Sequence, residues 1–230
     1  MILLLKGNLR WFYVVIYIMQ VEPPHPNPEK IKAILFDLDG VLVNMPDAHF
    51  EALNAALRLF GAAINRDEHL TLFNGLPTVK KLEVLEQQGR IPGGLSSFIN
   101  RVKQDHTKNL IPKFCTPDYS KIILLKRLQQ QGYKLACCSN SIRETLHLML
   151  RSASLFDFFD LVIGNDEIIH PKPDPEIYTT AFSRLGVTPE ECIIVEDSPY
   201  GIAAARASGA TVYEVRGCED VTSALFNNFV

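Results

Sequence analysis

From residue 31 onward, short apolar runs alternate with longer segments in which apolar positions recur every three or four residues. The runs are Ile31 to Phe36, Tyr133 to Cys138, Leu161 to Ile163, Cys192 to Val195 and Ala210 to Val215, several of them apolar throughout. A strand that is apolar on both sides must be covered on both sides, so the pattern predicts an α/β fold built on a parallel sheet. Gly132, Gly186 and Gly209 each stand between a helical segment and the next run, where a left-handed residue ends a helix. Asp174-Pro175-Glu176 reads as a cap, a first-turn proline and a charge suited to a helix N-terminus, and Thr188-Pro189-Glu190 as a second capped turn.

Almost a hundred residues separate the first run from the second, far more than one crossover helix needs. The excess predicts an inserted unit over residues 47–117, carried by a core of residues 31–46 and 118–230. Its segments have helical period: His49 to Phe60, with Ala52, Leu53, Ala56, Leu57 and Phe60 on one stripe, then Val79 to Gln88, then Leu95 to Leu110. A helical lid over the sheet edge is the expected arrangement.

The first thirty residues differ from the rest. Trp11 to Val21 is apolar, follows Lys6 and Arg10, and precedes the prolines at 23, 24, 26 and 28. It is shorter than the roughly twenty residues that span a bilayer, and no small-residue cleavage site follows it, so no stable membrane insertion is expected. An added strand, an interfacial segment, a misread start codon, or a signal or anchor remain the open readings of residues 1–30.

Composition changes this picture little. The 230 residues are 47% hydrophobic and 21% charged, as in an ordinary globular protein, and the formal net charge of -3 offers no field to gather nucleic acid. The five cysteines form neither an even set nor a CxxC pair, so a reducing, cytoplasmic setting fits better than a disulfide framework or a zinc site.

Chemistry is concentrated where the apolar runs end, because ligands of an open parallel sheet bind beyond the carboxyl ends of its strands. The first run ends in Asp37-Leu38-Asp39-Gly40, the second in Ser139-Asn140-Ser141, the fourth in Glu196-Asp197-Ser198, and Lys172 follows the third within Pro171-Lys172-Pro173. Clustered carboxylates repel one another, and a Mg²⁺ ion with a substrate phosphate relieves that repulsion. Asp37 is the candidate nucleophile, forming an aspartyl phosphate. Asp39, two residues on, can protonate the leaving alkoxide and then deprotonate water. Ser139 and Lys172 can hold the phosphoryl oxygens.

Each of these residues also has a plainer reading. Glu196, Asp197 and Ser198 can cap the following helix, Ser139, Asn140 and above all Ser141 can cap theirs, Lys172 can be a solvated loop lysine, and His49 a surface or hinge residue. An acid directly after Ile34-Leu35-Phe36 in a buried strand is harder to explain in this way.

Taken together, Asp37-Leu38-Asp39-Gly40-Val41-Leu42-Val43, Ser139-Asn140-Ser141, Pro171-Lys172-Pro173-Asp174-Pro175 and Val195-Glu196-Asp197-Ser198 resemble, in order and spacing, the four motifs of the haloacid dehalogenase superfamily. The likeness is greatest to its capped subgroup, which includes β-phosphoglucomutases and sugar phosphate phosphatases. The resemblance implies a Rossmann-like core with a helical cap, and Mg²⁺ bound by Asp37, the backbone carbonyl of Asp39, and Asp197, with Glu196 as a further candidate. It implies a small phosphorylated metabolite as substrate, held by Ser139, Asn140, Lys172, the hinge residue His49 and Gly75 of the cap loop. Asp39 argues for phosphoryl transfer over carbon–halogen cleavage. Phosphonate hydrolysis would need a cap lysine, and the sequence singles out none among Lys80, Lys81, Lys103 and Lys108.

A phosphatase is the first expectation and a β-phosphoglucomutase-type mutase the alternative. The cap arginine that would hold a mutase's second phosphate is replaced by Thr78. Asn44 also departs from the Asp common there. A rival of another class is a binding or membrane-tethered protein that keeps the fold without turnover.

Overall fold

The computed structural model describes residues 30–73 and 76–227, so the expectations for residues 1–29 and for Gly75 lie outside the described residues. Among these residues five strands form one parallel sheet: β1 (Ala33–Phe36), β2 (Lys134–Cys138), β3 (Leu161–Ile163), β4 (Cys192–Glu196) and β5 (Thr211–Glu214), in the order β3-β2-β1-β4-β5. The α/β expectation holds, with each strand within two residues of the apolar run that predicts it.

Among the described residues eight helices accompany the sheet: α1 (Pro46–Arg58), α2 (Arg66–Thr71), α3 (Thr78–Gln87), α4 (Ser96–Phe114), α5 (Tyr119–Gln130), α6 (Arg143–Ser152), α7 (Glu176–Leu185) and α8 (Pro199–Ala207). Because side chains alternate along a strand, Ile34, Phe36, Leu135, Cys137, Ile193 and Val195 pack to one side with residues of α5 and α6. Leu35, Ala136, Cys138 and Ile194 pack to the other, against Tyr178, Ala181, Ala204 and Ala205 of α7 and α8. Gly132, Gly186 and Gly209 all have positive φ, between 66° and 88°, as their places after helices require.

Helices α1 to α4, between β1 and β2, form a hydrophobic cluster of their own with Leu53, Leu57, Phe73, Leu82, Leu85 and Ile99. Helix α4 joins the two bodies of apolar residues, burying Ile99 in that cluster and Ile111 in the sheet's. The short helix α2 escapes the periodicity reading because six residues are too few to show a stripe; its start is marked by a capping box between Asn65 and Glu68. Among the described residues, no helix is long and apolar enough to cross a membrane.

Candidate active site

Strand register brings the motif residues together. Phe36 lies opposite Cys137 of β2 and Val195 of β4, so the next residue of each strand, Asp37, Cys138 and Glu196, stands at the same level. The Asp37 N–H still donates to Val195 O at 3.0 Å, and the Ser139 N–H donates to Ile163 O at 3.1 Å. Backbone pairing therefore continues one residue beyond the apolar runs and holds the polar residues in place. β1 lies in the middle of the sheet, where successive crossovers leave in opposite directions and a crevice opens.

At that crevice lies a cavity of about 170 Å³. The wall at the strand ends includes Asp37, Asp39, Ser139, Asn140, Lys172 and Asp197, and the wall from α1 to α4 includes His49, His69, Thr78, Lys81 and Lys103. The buried Lys172 ammonium donates to Asp37 Oδ1 at 2.7 Å, Cys138 O at 2.8 Å and Glu196 Oε1 at 2.5 Å, which uses all three of its protons. Burial opposes its charge, yet the carboxylates of Asp37 and Glu196 outweigh burial and its pKa is raised. Tyr178 OH donates to the same Glu196 oxygen at 2.5 Å, and its ring lies 5.0 Å from the ammonium. The Lys172–Pro173 peptide bond is cis.

Asp39 turns toward the cap. Its Oδ2 lies 3.1 Å from His49 Nε2 and accepts from the Ser141 hydroxyl at 3.4 Å, while His49 Nδ1 lies 3.3 Å from Lys103 Nζ. These contacts overcome burial and hold Asp39 below the usual carboxylate range, His49 contributing most. Burial and the Lys103 charge hold His49 below its ordinary value despite Asp39. The tautomer that satisfies this chain has Lys103 donating to Nδ1 and Nε2–H donating to Asp39.

The expectation that Ser141 caps the following helix is not met. The cap residue of α6 is Ile142, without a side-chain bond, and Asp166 Oδ1 accepts the Arg143 N–H instead, leaving the Ser141 hydroxyl for Asp39. Ser198 does cap α8, accepting from Gly201 N at 3.1 Å. Asn140 takes the Lys172 N–H on its Oδ1 at 3.1 Å and so fixes the lysine loop while it lines the cavity.

Charge is unbalanced at the core wall. Asp37, Glu196 and Asp197 present carboxylate oxygens within 4.8 Å of one another, against the single Lys172 ammonium. Burial, then the neighbouring Glu196 and Asp39, push Asp197 up to about 7, and burial likewise raises Asp37 in spite of Lys172. Asp39 Oδ1 and Asp197 Oδ1 are buried without a hydrogen-bond partner among the described residues. Such an all-oxygen donor set with surplus negative charge suits a hard divalent cation. Gly40, at φ 87°, clears the space beside Asp197: a Cβ there would strike its carboxylate.

The sequence pattern of residues 34–215 matches the family model described as haloacid dehalogenase-like hydrolase. The chain belongs to the haloacid dehalogenase-like hydrolases. Among its relatives in this family are a phosphorylated carbohydrates phosphatase of Thermotoga maritima, 29% identical over 78% of this chain and 82% of that protein, and a β-phosphoglucomutase of Bacillus subtilis, 30% identical over 78% and 80%. In three dimensions it is similar to CbbY of Rhodobacter sphaeroides, solved in complex with phosphate, with a TM-score of 0.74 and 25% identity over 81% of this chain and 87% of that one. The expected enzyme of the haloacid dehalogenase-like family is thus what the chain encodes.

The sequence reading did not single out Lys103, Lys81, His69 or Tyr178. A signal existed for Lys103, which continues the buried series Ile99, Thr107 and Ile111 at spacings of four, where a lysine is out of place. Lys81 likewise lies four residues before the buried Leu85.

Proposed function

We propose that this chain is a phosphatase that hydrolyses a small phosphate monoester, with sugar phosphates among its candidate substrates. The observation that carries the reading is the Asp37 carboxylate, held by Lys172 at 2.7 Å at the cavity wall, with Asp197 beside it and Asp39 two residues on. Asp37, Asp197 and the backbone carbonyl of Asp39 would hold Mg²⁺, with Glu196, whose Oε1 is engaged by Lys172 and Tyr178, behind them. When bound, that ion supplies positive charge to the phosphoryl oxygens.

Asp37 attacks phosphorus to give an aspartyl phosphate while Lys172 holds one carboxylate oxygen in place, and the Ser139 hydroxyl donates to a phosphoryl oxygen. Asp39 receives the His49 Nε2 proton as Lys103 passes one to His49 Nδ1, delivers it to the leaving oxygen, and in the second step takes one from water. The resident setting is a reducing one such as the cytoplasm; the five cysteines are free and four are buried. A screen of phosphorylated metabolites with Mg²⁺, reading released phosphate, tests the proposal; the absence of any release would overturn it.

A mutase is the second reading, favoured by the 30% identity to a β-phosphoglucomutase. Supplying β-glucose 1-phosphate separates the two, since a mutase returns glucose 6-phosphate and a phosphatase returns inorganic phosphate. The neutral Thr78 at the start of α3 favours water as the final acceptor.

A further inference from the structure

The cap wall of the cavity holds cations without anions. Lys81 and Lys103 are buried there, at 9% and 6% exposure, and no described carboxylate lies within ion-pair distance of either. Lys103 meets only His49, and the Lys81 ammonium has no hydrogen-bond partner among the described residues. His69, 2% exposed, enters the same cavity from α2, packed on Phe50 with ring centroids 5.3 Å apart. Among the described residues neither of its ring nitrogens has a hydrogen-bond partner of good geometry, although the Pro46 backbone lies close enough to act on the ring.

The fully enclosed side-chain atoms that lack partners among the described residues belong to Asp39, Asp197 and His69; the Lys81 ammonium is not fully enclosed. Asp197 belongs to the carboxylate cluster at the core wall, and Asp39 lies beside it. His69 lies beside Lys81, on the other wall, and its unmet groups call for the opposite kind of ligand: an ammonium and an imidazole N–H both donate. Lys81 also stands one helical turn beyond Thr78, on the face of α3 that lines the cavity.

Building on the phosphatase reading, we infer that Lys81 and His69, with Lys103 alongside, form an anion subsite, and that the preferred substrate carries a second phosphate or carboxylate besides the phosphate attacked by Asp37. The charges of the subsite answer to the same need. Burial pushes Lys81 down to about 8, burial and the Lys81 charge push Lys103 down to about 7, and burial and Lys81 push His69 down to about 4. The Pro46 backbone favours the charged form of His69 without offsetting these effects. An entering anion supplies the counter-charge that this wall lacks.

The test is calorimetric titration of the full chain in MgCl₂ with methylphosphonate, which has one anionic end, and with phosphonoacetate and methylenediphosphonate, which have two. None has an ester to hydrolyse, so binding is read apart from turnover. At least one two-ended ligand should bind about tenfold more tightly than methylphosphonate, the effect of one charge-assisted hydrogen bond. Which of the two does so tells a carboxylate from a phosphate. The advantage should vanish in Lys81→Met, shrink in His69→Phe and persist in Lys81→Arg, with methylphosphonate affinity unchanged in all three. Losing a desolvated charge should leave Lys81→Met at least as heat-stable as the parent, and Lys81→Arg guards against a folding artefact. Equal affinities in the parent protein, or an advantage undiminished in Lys81→Met, would overturn this inference alone. Failure of all three ligands to bind would overturn it together with the phosphatase reading.

Discussion

His49, at the start of the first cap helix, lies 3.1 Å from Oδ2 of Asp39, ten residues earlier on the strand-end loop. The contact ties the candidate acid and base to the cap, and through His49 Nδ1 to Lys103. Asp39→Asn can neither protonate an alkoxide nor activate water. With an alkyl phosphate, turnover should fall by about 10²–10⁴-fold. With p-nitrophenyl phosphate, whose leaving group needs no proton, the variant should still release a burst of one nitrophenolate per active site and then stall. Rapid-mixing absorbance distinguishes the cases: equal slowing of both substrates without a burst would remove Asp39 from the second step.

Gly40 meets two demands at once, a φ of 87° and clearance for the Asp197 carboxylate. Ala in the left-handed region costs about 1–2 kcal/mol before any clash is counted. Gly40→Ala should therefore lose at least that much stability in urea, and weaken Mg²⁺ binding by calorimetry. Unchanged Mg²⁺ affinity would detach Asp197 from the cation site.

Lys172 is the cation shared by two buried carboxylates, those of Asp37 and Glu196. Removing one partner from a buried ionic group leaves charge uncompensated and costs about 3–5 kcal/mol. Lys172→Met should show that loss in equilibrium unfolding and should lack turnover. A loss under about 1 kcal/mol would mean that the carboxylates take up protons at little cost.

The cap lysines set a pH dependence with a definite sign. Lys103 and Lys81 lie at about 7 and about 8 in the folded protein, chiefly through burial, whereas an unfolded lysine keeps its proton to about 10.4. Below pH 7 both states are charged and the burial penalty is complete. Above it the unfolded chain binds more protons, so stability rises with pH toward about 10. Asp197, raised to about 7 by burial and its acidic neighbours, acts in the opposite sense, but its effect is nearly complete by about pH 8. Lys103→Met should be more stable than the parent near pH 7, with the gap closing toward pH 10. A gap independent of pH in urea titrations would show Lys103 to be charged throughout.

The sheet was legible because its strands are covered on both sides and so appear as unbroken apolar runs, such as Ile34-Leu35-Phe36 and Ile193-Ile194-Val195. Strand-end acids could be read for the same reason, since Asp37 interrupts an apolar run where nothing else requires a charge. The cap side was less legible. Its cavity residues come from four helices whose mutual packing no local pattern encodes, and Lys81 and Lys103 look like surface lysines until their helical neighbours are counted. A serine before a helix has two available partners, and the Ser141 hydroxyl takes Asp39 rather than a helix N–H. Tyr178 sits in a plain amphipathic helix, and only the fold shows its hydroxyl on Glu196.

The most direct measurement is the chemical fate of Asp37. A single turnover quenched in acid, followed by proteolysis and mass spectrometry, reports which carboxylate carries phosphate. Phosphate on the peptide containing Asp37, absent in Asp37→Asn with the fold retained by circular dichroism, is the predicted result. Phosphate on another residue, or turnover that persists in Asp37→Asn, would contradict a covalent mechanism at Asp37.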